Sequence, residues 1–375
     1  MDTILVLNAG SSSIKFEAFA AEPAGPRRLL RGALGGIGYA PRMLARDAAG
    51  AVLVERAFPP AVVAEAEAAE REIAAWLGSH LPAPPVAVGH RVVHGGAEFV
   101  GPVRVDAAVL AALEKLSPLA PLHQPHNLAP IRLIAARRPD LPQIACFDTA
   151  FHHGHAEPVD RFAIPDRLHR AGVRRYGFHG LSYEYVASRL PEAAPAIAAG
   201  RLVVAHLGSG ASLCALRAGR SVETTMGFTA LDGLPMATRP GRLDAGVVLY
   251  LMQGLGMEEA AITRLLYHES GLHGVSGLTG DMRELLASED PMARLAVDLF
   301  VHRIAQETAA LAVTLGGLDG FVFTAGIGEN PPAVRTAVIA RLGPFGAGLA
   351  VHVIPTDEEM MIARHTLALL RGRQT

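Results

Sequence analysis

The sequence predicts an α/β protein of two domains that repeat one kind of fold. The chain has 375 residues, which exceeds what a single hydrophobic core usually serves. Apolar segments of strand length alternate with longer segments of helical periodicity. In addition, one distinctive unit, a strand followed by a tight glycine and serine turn and a second strand, occurs once in each half.

The predicted elements follow apolar periodicity and turn residues. We expect strands at 3–8, 12–19, 86–93, 143–148, 201–207, 211–217, 320–325 and 350–354. We expect helices at 60–78, 106–116, 127–137, 181–190, 244–254, 291–315, 333–341 and 357–371. Thr356 and Glu359 have the spacing of a capping box, which predicts the start of the last helix.

The repeated unit reads "LVLNAGSSSIKFEAF" from residue 5 and "VVAHLGSGASLCALRAG" from residue 203. In each copy an apolar strand ends near a polar residue, Asn8 or His206, before the turn. One copy alone would be an ordinary hairpin, but two copies at matching points indicate a duplicated fold. We expect the serines and backbone amides of residues 10–13 to donate to phosphoryl oxygens, and Lys15 can add a positive charge.

A third glycine-rich segment is "GFVFTAGIGENPPAVR", from residue 320. It reads as a strand, a turn at Gly326 and Gly328, an N-cap at Asn330 and a helix. A helix start behind a glycine turn offers free backbone N–H groups to an anion. An ordinary helix cap after a strand is the competing interpretation.

Composition excludes several classes of protein. The formal net charge is −2 and there is no basic cluster, so we expect no nucleic-acid partner. No apolar stretch reaches the length of a membrane span, and no signal peptide is evident, so we expect no membrane partner. Cys146 and Cys214 lie in apolar segments and resemble buried thiols of a cytoplasmic protein.

Taken together, the motifs resemble the acetate kinase family of carboxylate kinases, within the fold group of actin, sugar kinases and Hsp70-type ATPases. The matching stretches run in the family's order along the chain: "NAGSSSIK" at 8–15, "GHRVVHGG" at 89–96, "FDTAFH" at 147–152, "RRYGFHGLSYEYV" at 174–186, "HLGSGASL" at 206–213, "MGFTALDGLPMATRPG" at 226–241, "SGLHGVSG" at 270–277, "GDMR" at 280–283, "FTAGIGEN" at 323–330 and "IPTDEE" at 354–359. No Walker A motif occurs.

The resemblance implies two actin-like (ribonuclease H-like) domains around a central nucleotide cleft, and a homodimer. We expect residues 1–149 plus 359–375 to form an acyl-substrate domain and residues 150–358 to form a nucleotide-binding domain. The family transfers the γ-phosphoryl group of ATP to a short carboxylate, reversibly, giving an acyl phosphate and ADP.

That chemistry requires positive charge and positioning rather than a strong base. A carboxylic acid has a pKa of roughly 4 to 5, so the nucleophile is already ionised at pH 7. Arg91 and Arg239 match the family's active-site arginines, and His179 matches the histidine that hydrogen-bonds the phosphoryl group. Asp148 matches an active-site aspartate, which either orients Arg91 or organises the water shell of the metal.

Mg²⁺ (or Mn²⁺) is expected beside Asn8 and Glu358, held by few protein ligands and by the phosphates of ATP or ADP. The expected nucleotide contacts are Ser11, Ser13, Lys15, His206, Leu207, Gly208, Ser209, Gly210, Asp281, Met282, Arg283, Gly326, Ile327, Gly328, Glu329 and Asn330. The acyl group of acetate or propionate is expected near Arg91, Val93, Leu122, Phe178 and Ala230.

The chain departs from the family at several positions. Ser209 replaces the usual asparagine of the phosphate loop, Ala230 replaces a proline, and "FHHGHAEP" at 151–158 replaces F-H-x-T-M-P. The histidines of that segment lack a carboxylate or cysteine partner, so we favour a structural role over metal binding. A butyrate-type or branched-acid kinase, and a non-catalytic nucleotide-binding regulator on the same fold, remain alternative functions.

Overall fold

The computed structural model describes residues 2–372. The chain divides into two compact units. The first contains the chain up to Phe151 and again from Asp357 onward, and the second contains His152–Thr356. Residues 1 and 373–375, which the sequence assigned to the acyl-substrate domain, lie outside the described residues. The assignment of substrate to one domain and nucleotide to the other stays a prediction.

The described residues form strands and helices that are numbered here in chain order. The strands are β1 Thr3–Ala9, β2 Ser13–Glu22, β3 Gly25–Gly35, β4 Arg42–Asp47, β5 Val52–Ala57, β6 Ala87–Val92, β7 Val103–Arg104, β8 Gln143–Phe147, β9 Arg201–Leu207, β10 Ala211–Arg217, β11 Arg220–Thr224, β12 Gly320–Thr324 and β13 Ala350–Val353. The helices are α1 Ala66–His80, α2 Ala107–Lys115, α3 Gln124–Arg137, α4 Glu157–Asp160, α5 Asp166–Arg170, α6 Gly180–Ala193, α7 Ala245–Gln253, α8 Glu259–His268, α9 Gly271–Ser276, α10 Met282–Ala287, α11 Pro291–Leu315, α12 Ala325–Glu329, α13 Pro332–Arg341 and α14 Glu358–Leu370.

Each unit is built on one mixed sheet, and the two sheets share a five-stranded pattern. The first sheet has the order β5-β4-β3-β2-β1-β6-β8-β7, and the second has the order β11-β10-β9-β12-β13. In both, the first strand of the unit pairs antiparallel with its hairpin partner and parallel with the next central strand. A further parallel strand follows that central strand in each sheet. The predicted duplicated α/β fold is therefore confirmed.

Both predicted glycine turns connect the expected pairs of strands. In the turn from β1 to β2 the Gly10 N–H donates to the Ser13 carbonyl at 2.8 Å. In the turn from β9 to β10 the Gly208 N–H donates to the Gly210 carbonyl at 2.9 Å. The repeated sequence unit therefore folds in the same way in both halves.

The hydrophobic core of the first unit lies beneath its sheet. Leu7, Ile14 and Phe16 from β1 and β2 pack with Ile73 and Leu77 of α1. A second cluster joins β6 and β8 to α2 and α3. Burial of these apolar faces holds the carboxyl ends of β1, β6 and β8 in a fixed relation, since the three strands are neighbours in the sheet.

The sequence did not predict β3, β4, β5, β7 or β11, nor several short helices of the second unit. β5 shows why, because five of its six residues are exposed and apolar alternation is absent. Helix α1 begins at Ala66 rather than at residue 60, because the chain first makes a turn in which the Val62 N–H bonds the Pro59 carbonyl.

The predicted capping box of the last helix is wrong by one residue. The N-cap is Asp357, whose carboxylate accepts a hydrogen bond from the Met360 N–H at 3.0 Å. Thr356 instead donates its hydroxyl to Ser182 Oγ at 2.7 Å. Because Asp357 rather than Thr356 is the N-cap, the capped amide is that of Met360, one residue beyond the Glu359 amide that the threonine was expected to satisfy.

Both cysteines are buried and neither forms a disulfide; Cys146 lies in β8 and Cys214 in β10. Burial raises the pKa of the Cys214 thiol to about 12, so it stays protonated and unreactive at neutral pH. Across residues 2–372, the helices fall short of the length and apolarity that crossing a membrane requires.

Candidate active site

The first unit presents its predicted site residues at one edge of the sheet. Asn8 lies near the end of β1, Arg91 lies in β6, and Asp148 directly follows β8. These three strands are parallel neighbours, so their carboxyl ends meet at one edge. Glu358, the first residue of α14, lies beside them, 3.7 Å from the Arg91 guanidinium.

Arg91 is held by Asp148. Its Nε donates to Asp148 Oδ1 at 3.0 Å and its Nη2 donates to Oδ2 at 2.6 Å. The remaining nitrogen, Nη1, lies 3.4 Å from Asn8 Oδ1. Burial opposes the charged form of Arg91, yet the charges of Asp148 and Glu358 raise its pKa above the ordinary value. Of the two roles that the sequence left open for Asp148, this contact supports orienting Arg91.

Glu359 is a member of this cluster that sequence analysis missed. Its Oε1 accepts a hydrogen bond from Asn8 Nδ2 at 3.0 Å. Burial, with the nearby charges of Asp148 and Glu359, raises the pKa of Glu358 to about 7 against the opposing charge of Arg91. The run "DEE" at 357–359 was the available signal, but only the fold decides which of its acids turns toward Asn8.

The serine turn differs in one respect from its prediction. The amide of Gly10 is used within the turn, so it is not one of the donors expected for phosphoryl oxygens. Ser11 and Lys15 are exposed and Ser13 is half-buried. The positive charge of Lys15 makes a small contribution that lowers the pKa of Glu358.

In the second unit, His179 occupies a restricted backbone position. Its φ of 59° places it in the left-handed region, at the residue before α6. Its Nδ1 lies 2.8 Å from Ser212 Oγ, and its ring stacks on the ring of His206 with a centroid distance of 4.1 Å. The carbonyl of the preceding residue, Phe178, accepts a hydrogen bond from His152 Nε2 at 2.9 Å. The contacts with Ser212 and His206 therefore fix the His179 ring, and the contact with His152 holds the backbone that precedes it.

Arg239 has a different environment from Arg91. Its Nη1 donates to the Ala230 carbonyl at 2.8 Å, and among residues 2–372 no carboxylate forms an ion pair with it. Burial lowers the pKa of Arg239 below its usual value. A partly buried guanidinium without a carboxylate partner favours an anionic ligand.

Gly210 lets Arg239 and His179 approach the loop between β9 and β10. A Cβ at this position would lie 2.9 Å from Arg239 Nη2 and 3.1 Å from His179 Nε2. Glycine therefore lets both side chains approach the backbone of the loop more closely than another residue would allow.

Four parts of the chain that are distant in sequence line one cavity of about 660 Å³ in the second unit. Its lining residues are Gly208, Ser209, Ala237, Gly280, Asp281, Met282, Arg283, Gly326, Ile327, Asn330 and Pro331. Ligand pockets commonly span roughly 300 to 1,000 Å³, so this cavity has room for a nucleotide-sized ligand. Asp281 caps α10 and binds Arg283 Nη2 at 2.6 Å, which lowers the pKa of Asp281 to about 2.

The third glycine segment folds differently from its prediction. Gly326 and Gly328 belong to the short helix α12, and Glu329 caps that helix by accepting from the Ala325 N–H at 2.8 Å. That amide is therefore not free for an anion. Asn330 ends α12, where its Nδ2 donates to the Gly326 carbonyl at 2.8 Å, and the residue that precedes α13 is Pro331.

The four apolar residues expected around the acyl group divide between the units. Val93 is buried, its N–H donates to Asn127 Oδ1 at 2.9 Å, and Leu122 is half-buried; both lie in the first unit. Phe178 is buried and Ala230 half-buried, and both lie in the second unit.

The histidine-rich segment makes hydrogen bonds to one hydroxyl. His152 Nδ1 and His155 Nε2 each lie 2.8 Å from Ser221 Oγ. Burial lowers the pKa of His152 to about 3 and that of His155 to about 4, so both imidazoles are neutral at pH 7. Within residues 2–372, no three His, Cys, Asp or Glu side chains are placed to hold a metal ion by themselves.

Comparison with known proteins identifies the family of the chain. The model of the acetokinase family matches residues 3–350. An acetate kinase of Nitrobacter hamburgensis is 54% identical, covering 100% of this chain and 98% of the relative, and one of Rhizobium meliloti is 51% identical, covering 99% of each. A crystal structure of a Francisella tularensis propionate kinase is similar with a TM-score of 0.89 at 34% identity, covering 98% and 99% of the chains. One of Porphyromonas gingivalis acetate kinase has a TM-score of 0.85 at 34% identity, covering 99% and 100%. The chain therefore belongs to the acetokinase family of kinases.

Proposed function

We propose that this chain transfers the γ-phosphoryl group of ATP to acetate, and also to propionate, by direct in-line transfer. The products are the acyl phosphate and ADP, and the reaction is reversible. The observation that carries the proposal is Arg239, a partly buried cation without a carboxylate partner among the described residues, placed with His179 against Gly210. The names of the similar acetate and propionate kinases support the choice of acids.

Positive charge lowers the barrier in this mechanism. The attacking carboxylate oxygen is already ionised at neutral pH, so the bond from oxygen to phosphorus forms while the bond to the leaving oxygen of ADP breaks, without prior proton removal. Arg91, oriented by Asp148, and Arg239 each supply a guanidinium that can bind oxygens in pairs. His179 donates a hydrogen bond to an oxygen of the transferring group. These donors stabilise charge as it develops in the transition state.

The cavity of about 660 Å³ is the proposed site for the nucleotide. Gly208 and Ser209 offer a turn to the phosphates, and apolar side chains of Met282 and Ile327 offer contact to the base. Asp281 and Arg283, already paired with each other, lie on the same lining. His206, Leu207, Gly210, Gly328 and Glu329 support this lining from neighbouring positions. Ser11, Ser13 and Lys15 are proposed phosphate contacts from the first unit.

The acid cluster of the first unit fits a hard divalent cation. Asn8 and Glu358 bring side-chain oxygen atoms to this edge of the sheet, while Asp148 is paired with Arg91 and Glu359 with Asn8. Burial is the main cause of the raised pKa of Glu358, and a cation beside this carboxyl group would favour its ionised form. Mg²⁺ is commonly held by one or two carboxylates, water and substrate phosphates. We therefore propose Asn8 and Glu358 as the residues that hold Mg²⁺. When bound, the ion supplies charge neutralisation of the nucleotide phosphates.

We propose that the active protein is a homodimer formed through α7. This helix has the sequence AGVVLYLMQ, yet none of its residues is buried. Leu249 is 53% exposed and Tyr250 is 60% exposed. Exposed apolar clusters of this kind mark interaction surfaces. Light scattering should show a dimer for the wild type and a monomer for Leu249→Asp. A monomeric wild type would contradict the proposal.

We place the reaction in the cytoplasm, where ATP is available.

The test of the function is a hydroxamate assay, which traps acyl phosphates. Purified full-length protein is incubated with ATP, Mg²⁺ and acetate, propionate or butyrate. We expect acyl hydroxamate from acetate and propionate and far less from butyrate. A preference for butyrate would identify a longer-chain kinase, and absence of product with retained ATP binding would identify a nucleotide-binding regulator.

A further inference from the structure

A buried chain of hydroxyl groups ends at the ring of His179. The Tyr183 hydroxyl lies 2.6 Å from Ser212 Oγ, and Ser212 Oγ lies 2.8 Å from His179 Nδ1. Tyr183 and Ser212 are both fully buried. Tyr183 lies one turn along α6 from His179, while Ser212 lies on β10, so the contact requires the packing of the helix on the second sheet.

The direction of the protons along this chain can be assigned. Burial raises the pKa of Tyr183 well above its usual value, so the phenol keeps its proton and needs an acceptor for it. The hydrogen bond that the structure gives this hydroxyl is the one with Ser212 Oγ. The phenol proton then points to Ser212 Oγ. The serine proton in turn points to His179 Nδ1, which must accept it. In the opposite direction, the phenol oxygen would accept from Ser212, and the buried phenol proton would need another acceptor.

We propose that Tyr183 and Ser212 are positioning residues that hold neutral His179 in the tautomer with its proton on Nε2. Nε2 is the nitrogen on the side of the phosphate loop, where a Cβ on Gly210 would lie 3.1 Å from it. The relay therefore keeps an N–H donor aimed at the loop without requiring a positive charge on the ring. This inference rests on the proposed function only for the role of that donor in phosphoryl transfer.

The neighbouring imidazole has a related arrangement. Ser182 Oγ lies 2.8 Å from His206 Nδ1, and Thr356 Oγ1 lies 2.7 Å from Ser182 Oγ. In each of the two stacked rings, His179 and His206, Nδ1 therefore lies within hydrogen-bond distance of a serine hydroxyl. A Cβ on Gly208 would lie 3.8 Å from His206 Nε2, so this ring also directs Nε2 toward the loop.

The direct test is the tautomer itself. Full-length protein labelled with ¹⁵N-histidine is examined by long-range ¹H–¹⁵N correlation at pH 8, where an ordinary histidine is neutral. His179 is assigned by comparison with His179→Gln. We expect Nε2 to carry the proton and Nδ1 to show the shift of an unprotonated nitrogen. A proton on Nδ1 of the wild-type protein would overturn the proposal, whether or not the protein is an active kinase.

Variants then separate positioning from folding. Tyr183→Phe and Ser212→Ala should show a mixture of tautomers, and kcat should fall about two- to tenfold, the range spanned by one neutral hydrogen bond. KM for ATP and for the acid should change less than twofold. Ser212→Thr, which keeps the hydroxyl, should restore the wild-type tautomer. Unchanged tautomer and kcat in both Tyr183→Phe and Ser212→Ala would reject the relay.

Tyr176→Phe is the matched control. It removes another buried phenol of the same unit, which donates to the Gly172 carbonyl at 2.8 Å. We expect no change of the His179 tautomer in this variant. If His179→Gln keeps full activity, the proposed role of His179 in phosphoryl transfer fails, while the tautomer measurement still decides the relay. If Tyr183→Phe does not fold, the wild-type spectrum and the variants Ser212→Ala and Ser212→Thr still test the relay.

Discussion

Arg91 and Asp148 form a bidentate ion pair at the edge of the first sheet, with Nη2 2.6 Å from Oδ2 and Nε 3.0 Å from Oδ1. The pair orients the guanidinium and leaves Nη1 directed toward Asn8 and Glu358. Arg239 has no such carboxylate partner within the described residues. The two arginines therefore differ: Asp148 pairs with and orients the guanidinium of Arg91, whereas no carboxylate of the described residues pairs with that of Arg239.

Arg91→Ala and Arg239→Ala should each lower kcat by about 10³ or more, because a positioned arginine commonly contributes that much to phosphoryl transfer. Steady-state kinetics with ATP and acetate measure the effect, and circular dichroism checks the fold. Arg132→Ala and Arg264→Ala, which break exposed ion pairs, are the controls. Arg91→Ala leaves Asp148 buried without its cation, which can destabilise the fold. Arg91→Lys is therefore measured as well, because it keeps a positive charge beside Asp148. Near-wild-type turnover of both arginine variants would show that the assignment is wrong.

Gly210→Ala should lower kcat strongly and the free energy of unfolding only slightly. The added methyl group would lie 2.9 Å from Arg239 Nη2 and 3.1 Å from His179 Nε2, so both side chains must move away from the loop. We expect a fall of about tenfold or more, since displaced transition-state donors cost at least that. Gly78→Ala, where a Cβ meets nothing within 4 Å, is the matched control. Equal kcat in the two variants would contradict the proposed closeness of these groups to the reacting phosphoryl.

Ser209→Asn should tighten ATP binding or leave it unchanged. Ser209 is exposed on the lining of the cavity, so a longer side chain has room, and the amide restores the donor that is usual in the family. Isothermal titration with ATP and Mg²⁺ measures the affinity, with Ser209→Ala as the comparison. A marked loss of affinity in the asparagine variant would mean that the loop depends on the serine.

Propionate should be used nearly as well as acetate, and Ala230→Pro should shift the preference toward acetate. Proline would add ring carbons and restrict φ at this position. One buried substrate methylene gains about 0.8 kcal/mol, and a clash of similar size costs about 1 to 3 kcal/mol, so the ratio can change by about tenfold. The Ala230 carbonyl that accepts from Arg239 is kept.

The measurement for Ala230 is kcat/KM for acetate, propionate and butyrate in both proteins. An acetate preference above about a hundredfold in wild type lies outside what one methylene explains. Either that result, or the same ratio of kcat/KM for propionate to kcat/KM for acetate in Ala230→Pro and wild type, would show that residue 230 does not determine specificity.

Glu70→Leu should stabilise the protein, and more at pH 8 than at pH 5. Glu70 lines an apolar cavity of about 200 Å³ between α1 and α3, and its buried Oε1 has no hydrogen-bond partner. Burial and the charge of Glu67 raise its pKa from 4.5 to about 7. The folded state therefore binds the proton more tightly, and this contribution to stability is complete below pH 4.5 and lost as pH rises through 7.

The effect at Glu70 is on the order of 1–3 kcal/mol in the free energy of unfolding. Differential scanning calorimetry at pH 5, 6, 7 and 8 measures it as the difference between variant and wild type. The difference is needed because burial also raises the pKa of Glu17 and Glu358. Glu65→Gln, an exposed acid before the same helix, is the control. A difference that stays constant with pH would show that Glu70 has an ordinary pKa.

The sequence by itself determined the class of fold, its duplication and the family. The paired units around Asn8 and His206 predicted two sheets of one kind, because a strand, a glycine turn and a returning strand need only local residues. The arginines proposed to be catalytic and Asp148 were selected by their motifs. Strands such as β5 were not predicted, because an exposed edge strand carries no apolar alternation.

Tertiary structure decided which groups meet and which donors remain. Glu329 caps α12 and so removes an amide that the glycine segment was expected to offer, and Glu359 rather than its neighbour binds Asn8. The hydroxyl that lies against His179 Nδ1 belongs to Ser212 on β10, 33 residues further along the chain. Motifs record which residues are present, whereas hydrogen-bond partners and pKa values depend on burial and distance, which exist only once the helices pack on the sheets.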